Sequence, residues 1–323
     1  MKPPAFWDSP DSLLGRLLAP LGWAYAQTTA WRLAHGNPWR APVPVICIGN
    51  LTAGGAGKTP IVRDLAMRLA AQGLRPAILS RGYGGRERGP LKVDPSRHDA
   101  LQVGDEPLLL ARDTPCWIAR DRAEGARAIV AEGAGVILMD DGLQNPDLVQ
   151  NLRIIVVDGA TGFGNGRSIP AGPLREHIGA GIGRADAMIV VGKDERGLAR
   201  DYSGKIAVLR LSTQIRNLEL SGLKLVAFTG IGRPMKFHAS LTEAGADVAE
   251  FRAFADHHPY SAAELESLAM RAETLGATLV TTEKDWVRLN PEWQNRIKAI
   301  PLFVDWEDEG ALVSLLAKAV RRG

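Results

Sequence analysis

Short runs of uninterrupted apolar residues recur along this chain. VPVICIG (43–49), PAILS (76–80), VILMD (136–140), IIVVD (154–158) and AMIVV (187–191) are of this kind. Segments with helical spacing separate them: Ile61, Val62, Leu65 and Leu69 share one face, and Gly73 terminates it. GDEPLLLARD (104–113) opens with acids and a proline, as a helix entry does, and DRAEGARAIVAEG (121–133) reads as a helix closed by glycine. Continuous apolar strands alternating with helices indicate a parallel sheet covered on both faces. After about residue 205 the pattern restarts. IAVLRL (206–211) and the stretch near LELSGL (218–223) read as a linking strand pair. KLVAFTG (224–230) follows, then a helix over 234–244, a strand over 248–254, a helix over 261–275, strands over 277–282 and 299–304, and a helix over 309–321. The expected fold class is α/β, with a larger parallel-sheet domain over 1–205 and a smaller α/β domain over 206–323. No fixed-period repeat appears.

The first forty residues break this pattern. LLGRLLAPLGWAYAQTTAWRL (13–33) places Leu13, Leu14, Leu17, Leu18 and Leu21 on one helical face, with Trp23, Tyr25 and Trp31 beyond them. The AYA at 24–26 imitates a signal-peptidase site, but Asp8 and Asp11 precede the run, and Arg16 and Pro20 interrupt it. A spanning helix needs roughly 20 uninterrupted apolar residues. The segment therefore reads as an amphipathic helix, lying either on the protein's own core or at a water–lipid boundary. Lys2, Arg16, Arg32 and Arg40 outnumber the two acids there, which suits an anionic surface.

Composition narrows the chemistry further. A chain of 323 residues with 46% hydrophobic content accommodates two packed domains. The formal charge of +3 is too small for a dedicated nucleic-acid binder. Cys47 and Cys116 form no C-x-x-C pair, so neither a disulfide framework nor a zinc site is expected, and a reducing compartment fits.

The strongest local signal is NLTAGGAGKTP (50–60). It follows an expected strand, precedes an expected helix, and ends as G-x-x-x-x-G-K-[ST] ends; Thr52 stands where that pattern begins with glycine. A phosphate loop needs consecutive backbone N–H groups aimed into a hollow at a helix N-terminus. Thr52, Ala53, Gly54, Gly55, Ala56 and Gly57 supply that backbone, Lys58 a charge for the outer phosphates, and Thr59 a hydroxyl for Mg²⁺. Pro60 is tolerated in a first helical turn. Such loops pair with an acid at the end of a neighbouring strand, and VILMDDG supplies Asp140 and Asp141. The larger domain thus reads as a P-loop NTPase-type sheet. No N-K-x-D segment for guanine is present, since VGKDE (191–195) and TTEKDW (281–286) do not fit. ATP with Mg²⁺ is the expected nucleotide.

Taken together, the motifs resemble the tetraacyldisaccharide 4′-kinases of lipid A biosynthesis. The resemblance runs nearly end to end and rests on IGNLTAGGAGKTP (48–60), SRGYGG (80–85), VGDEP (103–107), MDDGLQN (139–145), FGNGRSIPAGPLRE (163–176), FTGIGRP (228–234), FADHHPY (254–260) and TTEKDWVRL (281–289). It makes Thr52 a family trait. It implies transfer of the γ-phosphate of ATP to the 4′-hydroxyl of an acylated glucosamine disaccharide 1-phosphate. It further implies Asp105 as the catalytic base with Glu106 beside it, and Asp140 as the metal-binding acid. Asp141 and His257 would be a pair supporting the base, and Arg175 and Glu176 a phosphate-contacting pair. Read from the residues alone, Asp105 is also a helix-entry residue. His257 precedes a Ser261–Glu264 capping box, with His258 as the adjacent alternative. A role for either histidine requires the second domain to close on the first. The chain departs from the family at Asn145, where a His is usual, and at Leu143, where an aromatic is usual. The resemblance places the protein peripherally on the cytoplasmic face of a Gram-negative inner membrane, with no nucleic acid and no obligate protein partner. The competing reading is a P-loop switch or assembly ATPase without a lipid acceptor.

Overall fold

A computed structural model describes residues 4–215 and 220–321. In chain order the elements are α1 (Leu13–Leu17), α2 (Ala19–Ala34), β1 (Val45–Gly49), α3 (Lys58–Ala71), β2 (Pro76–Ser80), β3 (Leu91–Lys92), α4 (Ala100–Val103), α5 (Asp105–Leu110), β4 (Cys116–Ile118), α6 (Arg122–Ala131), β5 (Val136–Asp140), β6 (Leu152–Asp158), α7 (Ile178–Arg184), β7 (Ala187–Val191), α8 (Leu198–Tyr202) and β8 (Ala207–Gln214). They continue as β9 (Lys224–Thr229), α9 (Pro234–Glu243), β10 (Asp247–Ala253), α10 (Ala262–Leu275), β11 (Thr278–Thr282), α11 (Glu283–Trp286), α12 (Pro291–Arg296), β12 (Lys298–Ile300), β13 (Phe303–Trp306) and α13 (Glu309–Arg321).

Among the described residues the larger sheet has the order β13-β8-β7-β6-β1-β5-β2-β4-β3. From β8 to β4 its neighbours are parallel, and antiparallel strands cap both edges. All five residues of β1, β5 and β7 are buried. That burial on both faces is why these strands read as uninterrupted apolar runs. One face packs on α3, α5 and α13, and the other on α6 and α7. The smaller sheet, β10-β9-β11-β12, is parallel throughout.

The expected domain division is corrected by the strand order. β8 pairs with β7 and β13, so the linking strand at 206–211 belongs to the larger sheet. Its expected partner near LELSGL is a turn at residues 220–223, while Leu218 and Glu219 lie outside the described residues. The single strand expected at 299–304 is two strands in two sheets. Pro301, which has no N–H to donate, separates them. β13 then returns to the larger sheet, and Leu312, Leu315 and Leu316 of α13 join its core. The smaller sheet is an insertion spanning 224–300 rather than a terminal domain from 206.

The N-terminal amphipathic segment breaks at Leu18, two residues before Pro20, into α1 and α2. The buried positions of α2 are the small residues Gly22, Ala26 and Thr29. A Cβ at Gly22 would stand 2.5 Å from the Ser168 carbonyl oxygen, so helix and loop touch backbone to backbone. The loop it rests on is the FGNGRSIPAGPLRE segment. Asn165 Nδ2 donates to the Phe6 and Ala171 carbonyls, Arg167 to the Pro10 carbonyl, and Trp7 Nε1 to the Pro170 carbonyl. The large apolar side chains of α1 and α2 are left facing outward.

Candidate active site

The phosphate loop leaves β1 at Gly49, packed so closely on Leu143 that a Cβ would lie 2.7 Å from its Cγ. Leu143 is buried, so its departure from the family pattern is filled by core packing. Gly54 and Gly57 have φ of +114° and +76°, a region that disfavours side chains. Thr52 instead forms an antiparallel bridge with Leu174, where extended backbone makes glycine unnecessary. Ala53 N–H donates to the Pro173 carbonyl (2.7 Å) and Arg175 N–H to the Leu51 carbonyl (2.7 Å). One loop, residues 163–176, therefore supports both the N-terminal helices and the phosphate loop.

At the start of α3, Lys58 Nζ donates to Asn50 Oδ1 (3.1 Å) and lies 3.8 Å from Asp141 Oδ1. Asn50 is fully buried and donates in turn to the Gly54 carbonyl (3.1 Å), bracing the loop from inside. Asp141 has a φ of +55°, unusual for a residue with a side chain, and such strain concentrates at functional positions. Its carboxylate accepts from Arg175 Nη1 at 2.8 and 2.9 Å. Burial alone would raise the Asp141 pKa, but Lys58 and Arg175 hold it below the ordinary carboxylate value.

Asp140, at the carboxyl end of β5, is the opposite case. Its Oδ2 accepts only a long bond from Ser80 Oγ (3.4 Å), and Oδ1 is buried without a hydrogen-bond partner. Burial, then the charges of Glu106 and Asp141, push its pKa up to about 7 against the pull of Lys58 and Arg122. A buried, under-satisfied carboxylate beside a phosphate loop fits a divalent cation. Among the described residues no cluster of three or more His, Cys, Asp or Glu could hold a metal. Mg²⁺ needs only one or two carboxylates and fills its shell with phosphates and water. The raised pKa also has a stability consequence. Between about pH 4 and pH 7 folded Asp140 holds a proton that the unfolded chain releases, so its contribution to stability falls as pH rises through that window. Asp140→Asn is expected to stabilise the metal-free protein at pH 8 by about 1 kcal/mol, a rise of about 1–2 °C in Tm. At pH 4 it should change little. Thermal unfolding in EDTA at both pH values checks this.

Asp105 begins α5 and is only 6% exposed. Its Oδ1 accepts from the Glu106 N–H (2.9 Å). Its Oδ2 meets His257 Nδ1 (3.0 Å) and Arg288 Nε and Nη2 (3.1 and 2.9 Å), with Lys284 Nζ 3.9 Å away. Burial opposes ionisation, but the His257 hydrogen bond and the charges of Lys284 and Arg288 hold the pKa far below the ordinary range. Glu106 is paired with Lys284 Nζ (3.0 Å). His257 has a φ of +57° and is held by its own N–H to the Gly230 carbonyl (2.9 Å).

The structure thus brings the expected residues into two groups. Lys58, Asp140, Asp141 and Arg175 surround the mouth of the phosphate loop, with Thr59 in the first turn of α3. Asp105, Glu106 and His257 meet where the smaller unit docks on the larger. Asp141 and His257 do not pair: His257 touches Asp105 directly, and Asp141 serves Lys58 and Arg175. His258 is the structural histidine, stacked on Phe254 and bonded to Glu264. Glu176 is not beside Arg175's target. It is buried, and accepts from Gln144 Nε2 (2.8 Å) and Arg184 Nη2 (2.6 Å). Gln144 also donates to the Asn50 carbonyl (3.3 Å), so Glu176 reaches Lys58 through Gln144 and Asn50. Asn145 closes a local turn with Asp147, donating from Nδ2 and accepting the Asp147 N–H. Asn50, Gln144, Lys284 and Arg288 carried no expected role. All four lie inside or beside the quoted motifs, and Lys284 and Arg288 have i, i+4 spacing, the only sequence signal that could have found them.

Comparison with known proteins gives a consistent result. The family profile LpxK, tetraacyldisaccharide-1-P 4′-kinase, matches residues 14–321. The tetraacyldisaccharide 4′-kinase of Rhodospirillum centenum is 52% identical, over 98% of this chain and 96% of that protein. The Maricaulis maris protein of the same name is 49% identical over the same shares. A crystal structure of the "apo" form of LpxK from Aquifex aeolicus in complex with ATP superposes with a TM-score of 0.77 at 27% identity, covering 95% of this chain and 100% of that one.

Proposed function

This chain belongs to the tetraacyldisaccharide-1-P 4′-kinase family, and from that premise we infer that it is an ATP-dependent kinase of lipid A biosynthesis. It transfers the γ-phosphate of ATP to the 4′-hydroxyl of a tetraacyldisaccharide 1-phosphate. The observation that carries this reading beyond nucleotide binding is Asp105. A nucleotide switch has no need of a buried carboxylate braced by a histidine from a second unit, one residue from Glu106, whose charge acts on Asp140 at the end of β5.

In the proposed mechanism the 50–57 loop and the N-terminus of α3 receive the ATP phosphates, and Lys58 leaves Asn50 to meet the outer ones. Asp140, Glu106 and Thr59 would hold Mg²⁺, which when bound supplies charge neutralisation at the phosphate oxygens. Arg175 stands beside Asp141 as a second cation for charge developing on the transferred group. Asp105 is anionic at neutral pH and accepts the proton of the attacking hydroxyl, while His257 orients it. A weakly basic carboxylate suits a loose transition state, in which the hydroxyl proton departs late.

The acceptor is a lipid, and the N-terminal helices supply a surface for it. Leu13, Leu17, Trp23 and Trp31 are 81%, 76%, 60% and 62% exposed. Among the described residues no helix is long and apolar enough to cross a membrane. The exposed apolar side chains support contact with a membrane surface, with the 163–176 loop linking the attached helices to the phosphate loop, and the lipid A pathway puts that surface at the cytoplasmic face of the inner membrane. Arg16 is paired with Asp11, and Lys2 lies outside the described residues. The double substitution Leu17→Glu, Trp23→Glu is expected to weaken binding to anionic phospholipid vesicles at least about tenfold, since burying one large apolar side chain contributes about 1.5–3 kcal/mol. Activity on detergent-dispersed lipid and Tm should hold. Vesicle co-sedimentation reads the result.

The function itself is tested with γ-labelled ATP, Mg²⁺ and a detergent-dispersed acylated disaccharide 1-phosphate. Label in the lipid, absent without Mg²⁺, is the expected outcome. Label only in free phosphate would leave an ATPase and remove the lipid acceptor.

A further inference from the structure

We propose that Arg288 is a positioning residue for the phosphoryl transfer, tying the carboxylate of Asp105 to the buried Asp285 so that the base is held in place only when the smaller unit is docked. This rests on the kinase reading above.

Arg288 follows α11 and its side chain is 10% exposed. Its planar guanidinium commits three N–H groups to two carboxylates of two units. Nε and Nη2 donate to Asp105 Oδ2, and Nη1 donates to Asp285 Oδ1 (3.1 Å). Such a fork fixes direction as well as distance. The far end cannot drift. Asp285 is fully buried and also accepts from Thr229 Oγ1 (2.6 Å), Thr282 Oγ1 (2.6 Å), Tyr260 OH (2.8 Å) and the Gly230 N–H (3.0 Å). Gly230 then links both partners of the base, since its carbonyl accepts from the His257 N–H at 2.9 Å and from Arg288 Nη1 at 3.5 Å. A Cβ at Gly230 would lie 2.9 Å from both the Ala255 carbonyl oxygen and Tyr260 OH, so this platform has no slack. His257 and Arg288 therefore reach Asp105 as one body.

Packing holds that body in register. Val287 is buried in the larger unit's core, and the Trp286 ring lies under the Arg112 guanidinium at 4.5 Å. Two other ion pairs across the junction do not reach the base: Arg63 Nη1 meets Glu283 at 2.8 Å and Arg233 Nη1 meets Asp158. Lys284 is 3.9 Å from Asp105 and spends its shorter contact on Glu106. Arg288 alone, among the described residues, bonds the base and the smaller unit's buried anchor at once.

The test uses the full chain in the labelled-ATP assay. Arg288→Met should lower kcat about hundredfold, the scale of a roughly 1 Å misplacement, with KM for ATP within about threefold. Arg288→Lys should recover part of the loss, to about tenfold below the unsubstituted protein, since one ammonium spans the two carboxylates poorly. In an Asp105→Asn background, followed by slow label accumulation, Arg288→Lys should cost nothing further. Glu283→Gln, which breaks the Arg63 pair, should leave kcat within about threefold. Full kcat in Arg288→Met overturns the proposal, as does an equal Arg288→Lys loss with and without Asp105. So does a Glu283→Gln loss matching that of Arg288→Met, which would make Arg288 ordinary interface adhesion. If Arg288→Met does not fold, the Arg288→Lys cycle with Asp105→Asn decides alone. Unsubstituted protein that labels no lipid removes the kinase reading and this proposal with it, and that failure is visible before any variant is made.

Discussion

Asp105→Ala should transfer label to the lipid about 10³-fold more slowly than the unsubstituted protein, the scale of a lost general base, with ATP affinity within about threefold. The affinity should hold because Asp105 contacts residues of the smaller unit and its own helix, not the phosphate loop. The substitution also removes the carboxylate that His257 and Arg288 share, leaving Arg288 with Asp285 alone as its anion and Lys284 with Glu106. Removing one partner of a buried pair costs about 3–5 kcal/mol, so part of any loss in Tm reflects that charge imbalance. Asp105→Asn separates the two effects, since the amide keeps the volume and an acceptor oxygen but cannot take the proton. Equal losses of turnover in Ala and Asn variants, with ATP titration unchanged by calorimetry, are the expected pattern. Loss of ATP binding in step with turnover would count against the base assignment, and full hydrolysis without lipid in Asp105→Ala would favour the switch ATPase.

Lys58→Ala is the second large effect. Turnover should fall about 10³-fold, as for loss of a principal charge-stabilising donor at the reacting group. Here ATP affinity should fall as well, because the ammonium meets the phosphates in the ground state too. The ammonium also bridges Asn50 and Asp141, which places it among the loop, the Asp-Asp corner of β5 and Arg175. Lys58→Arg should not rescue, since Nζ sits in a space already bounded by Asn50, itself fully buried. Unchanged kcat in Lys58→Ala would sink the phosphate-loop assignment. Steady-state kinetics with ATP as the varied substrate separates the kcat and KM parts.

Much of the larger sheet was legible in the chain. β1, β5 and β7 are buried along their whole length, and full burial writes itself as an unbroken apolar run. The segment 299–304 was less legible for a related reason. An apolar run reports burial, not which sheet does the burying, so the switch between sheets at Pro301 left no hydrophobic signal. The same ambiguity moved IAVLRL into the wrong unit. Within the site, Gly54, Gly57, Lys58 and Thr59 were readable because a phosphate loop is local: its backbone angles and its cation lie within a few residues. Glu176 was misplaced because the chain bends at residues 175 and 176, so that Arg175 reaches Asp141 while Glu176 is buried between Gln144 and Arg184.

By itself, then, the amino-acid sequence determined the sheet-and-helix class, the phosphate loop, the acids at the end of β5 and the family. Each of these is written in contiguous residues under strong local constraint. Only the tertiary structure decided that His257 rather than His258 meets Asp105, that Asp141 belongs to Lys58 and Arg175, and that Arg288 joins Asp105 to Asp285. Apart from the i, i+3 contact of Arg288 with Asp285, those pairings form between residues far apart in the chain. The contacts of Asp105 depend on how the two sheets dock and those of Asp141 on how the 163–176 loop meets the phosphate loop, and no local rule of spacing encodes either.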